Sequence, residues 1–176
     1  MAVKEILLLG NPSLRQKSDR VDNFKNADVH QTVNDLQDTL NDFRKQNGFG
    51  RGISAPQIGV PSRIIFIDVE KPIALINPEI IESSNEMMIL WDDCFSFPDI
   101  MVKVKRNKEI KVRYRDVNQD EQIISANGSL SELLQHEIDH LDGILAIDHA
   151  VDSKHIILKT EYQKYHSIRN VSPHPF

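Results

Sequence analysis

The chain has 176 residues, enough for one ordinary domain with a real core, and its 40% apolar and 27% charged residues are those of a soluble globular protein. The net charge of −5 argues against a broad nucleic-acid or anionic-membrane surface. No apolar run reaches transmembrane length, and the single cysteine, Cys94, excludes an intrachain disulfide.

The opening "MAVKEILLLG" carries only a short apolar run with no small-residue cleavage site after it. No signal peptide is expected, and a reducing cytoplasm is the simplest location. Asn11-Pro12 begins a short polar helix or turn. Between Asn26 and Gln46 the residues Val29, Val33, Leu36, Leu40 and Phe43 draw one apolar stripe at helical spacing, which Asn47-Gly48 ends. The Gly- and Pro-rich "FGRGISAPQIGVPS" reads as a loop. "RIIFIDV" and "PIALINPEII" are short, apolar and β-branched, and read as buried strands. In "IKVRYRD", Ile110, Val112 and Tyr114 share one face, and the polar "VNQDE" joins this strand to "QIISAN" as a hairpin. A helix is expected from about Ser129 to Asp142, and a last one from about Ser153 to Ser167. These elements predict an α+β fold of mainly antiparallel sheets, as a single domain over 1–176.

The helix beginning near Ser129 carries His136-Glu137-x-x-His140. Residues four apart stand one turn apart on the same helix face, so His136 and His140 can bind one divalent ion. Glu137 beside them can accept a proton from water at the ion. Leu130, Leu134, Ile138 and Leu141 form the core stripe, which sets the histidines on its flank. A catalytic tetrahedral site needs a third protein ligand. The extended zinc-protease pattern would place a histidine at position 146, which is Ala. Cys94 is the remaining candidate, as ligand or as nucleophile, and as ligand it would leave one coordination position open. Such a donor set suits Fe(II), Zn, Ni or Co.

Three segments taken together, "GRGISAPQ" (50–57), "DDCFS" (92–96) and "QHEIDH" (135–140), resemble the three motifs of the peptide deformylases. The resemblance covers nearly the whole chain. It implies an α+β fold with antiparallel sheets around the motif helix, and removal of the formyl group from the N-terminus of nascent polypeptides. It implies Cys94, His136 and His140 as ligands of one divalent ion, Fe(II) in vivo. Glu137 would be the general acid/base, and Gln57 and the backbone N–H of Phe95 the donors to the formyl oxygen. Gly50 and Gly52 would allow close approach of an extended peptide. The implied partner is an N-formylated peptide or nascent chain. The bases Lys154, His155, Lys159 and Lys164 near the last helix fit either a transient ribosome contact or simply a solvated face. Neither a membrane nor direct nucleic-acid recognition is expected.

The chain departs from the family pattern around this site. Arg51 and Ser54 replace an apolar residue and an Ala, Asp92 and Asp93 replace Glu and Gly, and Phe95 replaces Leu. Met101 stands where the ungapped pattern often has Arg, near the substrate entrance. The resemblance sets Arg51 and Glu132 beside the pocket for the first side chain. An arginine there must pair with an acid, Glu132 or Asp93, or turn to solvent. Ser129 and Glu132 fit either such a polar pocket or a helix-capping box. Asp93 would repel a substrate carbonyl or capture a positive group. Two alternatives follow: a hydrolase with a more polar pocket acting on another N-acylated amine, and a non-catalytic metal- or peptide-binding relative.

Overall fold

The computed structural model describes residues 2–24 and 26–167. Helix α1 spans Ala27–Asn47, with the Asn26 side chain accepting from the Asp28 N–H at its start. It stops at Gly48, whose φ of 79° is left-handed and natural to glycine. The expected stripe is buried at Val29, Val33, Leu36 and Leu40.

Five strands form one antiparallel sheet in the order β1-β2-β3-β6-β7: β1 Gly52–Ser54, β2 Ile64–Asp68, β3 Pro72–Ser83, β6 Glu109–Arg115 and β7 Glu121–Asn127. The unbroken apolar run of β2 has a simple cause. Ile64 and Phe66 face the core under α1, while Ile65 and Ile67 face a second core under helix α2, Ser129–Leu141. A strand covered on both faces needs no polar side. The expected hairpin of β6 and β7 is present, with Ile110 opposite Ala126 and Val112 opposite Ile124.

A second antiparallel sheet, in the order β4-β5-β8, joins β4 Met87–Asp92, β5 Ile100–Asn107 and β8 Ile156–Leu158. Neither β4 nor β5 figures among the expected strands. The inward face of β5 carries Val102, Val104 and then Arg106, 3% exposed, so its alternation is broken by a buried charge. The chain between β4 and β5 carries Cys94, which packs with Leu14, Phe97 and Leu145 in a third core.

Two sequence expectations are corrected. The expected loop contains β1 and a short 3-10 helix, Ala55–Ile58, all of it buried. Strand β1 adds three residues to the edge of β2, a pairing that local Gly and Pro content does not reveal. The last helix is shorter than expected. Ser153–His155 is a 3-10 turn and Ile156–Leu158 pairs with β5, so helix α3 spans Lys159–Ser167. Two isoleucines and a leucine satisfy the free edge of β5 better than they extend a helix. No helix among the described residues is long and apolar enough to cross a membrane.

Candidate metal centre and pocket

Helix α2 begins at Gly128, whose φ of 56° lets the chain turn out of β7. The Ser131 hydroxyl and the Gln135 amide each donate to the Asn107 carbonyl at 2.9 Å, and the Asn107 N–H donates back to Gln135 at 3.1 Å. These bonds fix the helix against the end of β5. Leu134, Ile138 and Leu141 enter the core, with Leu130 partly buried beside them.

His136 and His140 then present their Nε2 atoms to each other at 3.2 Å, and Cys94 Sγ lies 3.2 Å from His140 Nε2. All three side chains are buried. A tetrahedral ion with bonds of about 2.0–2.3 Å spaces its ligand atoms roughly 3.3–3.7 Å apart. The donor set and its spacing therefore fit a divalent ion. Burial and the neighbouring His136 hold the proton affinity of His140 well below its usual value, which keeps the imidazole in its ligand form.

Behind the donors lies a buried charge network. His136 Nδ1 faces both oxygens of Asp92 at 3.0 Å. Arg106 reaches Asp92 at 3.4 Å and also pairs with Asp139. Burial opposes the Asp92 carboxylate, but His136 and Arg106 outweigh it and hold its pKa below the usual value. A carboxylate on the far nitrogen fixes the tautomer and orientation of a metal-binding histidine. Arg106 and Asp139 are the residues that sequence reasoning missed. The only available signal was an arginine in phase with Val102 and Val104.

Glu137 is 3% exposed, and its Oε2 has no hydrogen-bond partner among the described residues. Burial pushes its carboxyl up to about 7, against the pull of His136 and the Ser54 hydroxyl. Gln57, third residue of the 3-10 helix that Ser54 precedes, has its Oε1 held by the Ser54 N–H at 2.9 Å and the Ser54 hydroxyl at 3.0 Å. Its Nε2 is thereby turned toward Cys94 Sγ, 3.5 Å away, and Ser96 Oγ, 3.3 Å away. Ser54, noted in the sequence only as a departure, thus orients the Gln57 amide. The Phe95 ring stacks on Phe43 with centroids 3.8 Å apart, which fixes the backbone beside Cys94.

A cavity of about 170 Å³ opens in front of these groups, lined by Phe49 to Gly52, Gln57, Asp93 to Phe95, Glu132, Leu133, His136 and Glu137. A larger cleft of about 410 Å³ lies elsewhere, at the edge of β3, β6 and β7, and contains none of this chemistry. The glycines accommodate packing within the wall. A Cβ on Gly50, whose φ is 136°, would meet the Phe95 ring at 3.0 Å, and one on Gly52 would meet Glu137 Oε1 at 3.1 Å.

Arg51 donates to Glu132 Oε2 at 2.6 Å, to Ser129 Oγ at 2.7 Å and to the Ser129 carbonyl at 3.1 Å. Ser129 and Glu132 therefore serve Arg51, the first of the two alternatives, and the capping box does not form: Gly128 is the cap and has no side-chain bond. Asp93 is held by Lys159 at 2.6 Å, and the same ammonium lies 4.3 Å above the Phe49 ring. The captured positive group is thus the chain's own, and Lys159 belongs to the pocket rim. Lys164 pairs with Glu161 and His155 with Asp152, so the expected basic helix face is largely neutralised. Met101 is buried on β5 opposite Ile157, away from the pocket lining.

Residues 3–155 match the family described as Polypeptide deformylase. The chain is 39% identical over 155 residues to a peptide deformylase of Rhizobium meliloti, covering 85% of this chain and 86% of that one. It is also similar to the crystal structure of a peptide deformylase from Thermotoga maritima, with a TM-score of 0.80 and 32% identity over 86% of this chain and all of the other, 100%. A peptide deformylase from Synechococcus elongatus in complex with actinonin matches with a TM-score of 0.80 and 29% identity, covering 97% of this chain and 91% of that one. With the family match over residues 3–155, relatives of this identity and the antiparallel scaffold in agreement, the chain belongs to the polypeptide deformylase family.

Proposed function

We propose that the chain, as one domain over 1–176, is a metal-dependent hydrolase that removes the formyl group from the N-terminus of nascent polypeptides. The observation that carries this reading is the convergence of Cys94 Sγ, His136 Nε2 and His140 Nε2 beside Glu137 Oε2, which has no hydrogen-bond partner among the described residues. Cys94, His136 and His140 would hold one divalent ion, which when bound supplies Lewis acidity and makes water more acidic.

The chain's own residues supply the rest. Glu137 takes a proton from the attacking water and returns it to the departing amine. Its buried carboxyl, raised to about 7, is suited to both directions of transfer near neutral pH. Gln57 Nε2 and the Phe95 N–H donate to the formyl oxygen as it gains charge. Ser54 holds the Gln57 amide in the donating orientation, and Asp92 holds His136. Gly50, Arg51, Gly52, Asp93 and Glu132 border the substrate. Products are formate and a peptide with a free amine.

The reading takes Fe(II) as the ion in vivo, with Zn, Ni or Co in a purified sample, and the cytoplasm as location. The N-formylated chain is the partner, met in transient contact with the ribosome. A non-catalytic relative would have no use for Glu137 and Gln57 in these positions. The test is formate release by anaerobically prepared Fe(II) protein from a panel of formyl-peptides. Release that depends on the ion and on Glu137 is expected. No formate from any peptide with Fe(II), Ni or Co would overturn the reading.

A further inference from the structure

Lys159 closes a ring of contacts around the segment that carries Cys94. Its own place is fixed at the end of β8: Leu158 pairs with Ile100, and the Lys159 N–H donates to the Asp99 carbonyl at 2.8 Å. From there the ammonium reaches Asp93 at 2.6 Å and lies 4.3 Å above the Phe49 ring. Phe49 meets Phe43 edge-on with centroids 5.5 Å apart, and Phe43 stacks on Phe95 at 3.8 Å. Phe95 stands two residues after Asp93, so the ring returns to the segment where it began.

This ring ties together two walls of the cavity, 49–52 and 93–95. The first is held from α1, where Arg44 Nε donates to the Gly50 carbonyl at 2.6 Å. In the second, the Ser96 N–H turns back to Cys94 Sγ at 3.5 Å and the Phe97 N–H to the Cys94 carbonyl at 3.1 Å. The Phe95 N–H has no hydrogen bond among the described residues. A donor without a resting partner takes its position only from what holds the residues around it. Here Lys159 holds Asp93 on one side, and Phe43 holds the Phe95 ring on the other. Two departures from the family pattern, Asp93 for Gly and Phe95 for Leu, are thus the two ends of one clamp.

Resting on the deformylase reading, we propose that Lys159 is a positioning residue for the reaction: through Asp93 and Phe49 it holds the Phe95 N–H where the formyl oxygen gains charge. It acts through these neighbours and not on the reacting atoms. The donor matters most as charge develops, so its loosening lowers kcat and leaves KM nearly unchanged. The ion pair alone would hold little, since its side chains are 24% and 39% exposed. The aromatic ring under the ammonium adds a cation–π contact, and removing Lys159 removes both.

The experiment measures formate release from formyl-Met-Ala-Ser by Fe(II) protein of matched metal content. Lys159→Met should lower kcat about tenfold, inside the range of up to about 10²-fold for a misplacement of about 1 Å, with KM within about twofold. Lys159→Arg keeps a cation for Asp93 and Phe49 and should recover most of the loss. Asp93→Asn combined with Lys159→Met should lose no more than the worse single variant, because both open the same clamp. A kcat for Lys159→Met within about twofold of the parent, a loss confined to KM, no recovery with Arg, or additive losses in the double variant would each overturn the inference. Phe49→Leu removes the ring alone and decides the matter if Lys159→Met does not fold: kcat down about threefold supports the clamp, and unchanged kcat defeats it. Amide exchange across 94–97, read by mass spectrometry, is independent of activity. Exchange about tenfold faster in Lys159→Met than in the parent supports the inference, and equal exchange overturns it. No formate from the unaltered protein with any formyl-peptide would overturn the deformylase reading instead, and the exchange comparison then decides the clamp.

Discussion

Arg106 offers the sharpest test of how the site is held. It is 3% exposed and is shared between Asp92, also 3% exposed, and Asp139, 19% exposed. Arg106→Met keeps the length and removes the charge, leaving Asp92 with His136 alone. Breaking a buried ion pair costs about 3–5 kcal/mol. Asp139 reaches more water and has His149 at 3.1 Å, so the lower end, about 3 kcal/mol, applies. Unfolding entropy of about 2.1 cal/mol/K per residue gives roughly 0.37 kcal/mol/K for 176 residues, and hence a drop in Tm of about 8 °C. The assay is thermal unfolding of the metal-free protein followed by circular dichroism. The sign of the pH dependence is fixed by Asp92, whose folded pKa lies below its ordinary 3.8. Stability from this depression is present above the unfolded value and is lost as pH falls through the folded one. The deficit of the variant should therefore be full at neutral pH and shrink in acid. The variant should also bind Co(II) about 10–100-fold more weakly, because His136 loses part of its support. A Tm within about 2 °C of the parent with unchanged Co(II) affinity would refute the argument that this pair is buried and supports the ligand.

Cys94→Ser should lose most of its metal, because a hydroxyl stays protonated where a thiol beside a cation does not; full occupancy by elemental analysis would remove Cys94 from the ligand set. Glu137→Gln should retain the ion and lose about 10²–10⁴-fold in turnover. Near-parental formate release by that variant would exclude Glu137 as the base. Gly52→Ala places a methyl 3.1 Å from Glu137 Oε1 and from Leu133 Cδ1, so the carboxyl must shift. A misplacement of about 1 Å costs up to about 10²-fold in rate, and an unchanged kcat would show that the wall yields elsewhere.

The sequence alone determined α1, the strands β2, β3, β6 and β7, and the two-histidine helix. The stripe of α1, with Asn26 before it and Gly48 after it, repeats at a spacing only a helix satisfies. His136, Glu137 and His140 lie within one and a half turns of α2, so their side-chain directions follow from the helix itself. The motif spacing also placed Cys94 and Gln57 in the same family pattern. The tertiary structure decided the partners far apart along the chain: Asp93 with Lys159 across 66 residues, and Arg51 with Glu132 across 81. It chose, for Ser129 and Glu132, service to Arg51 over a cap, and it turned Arg106 inward beneath His136. Periodicity encodes which face of an element is apolar. It does not encode which charge a buried charge will meet, because that depends on the register of β5 against α2 and on where β8 docks. Those are set by packing of the whole chain.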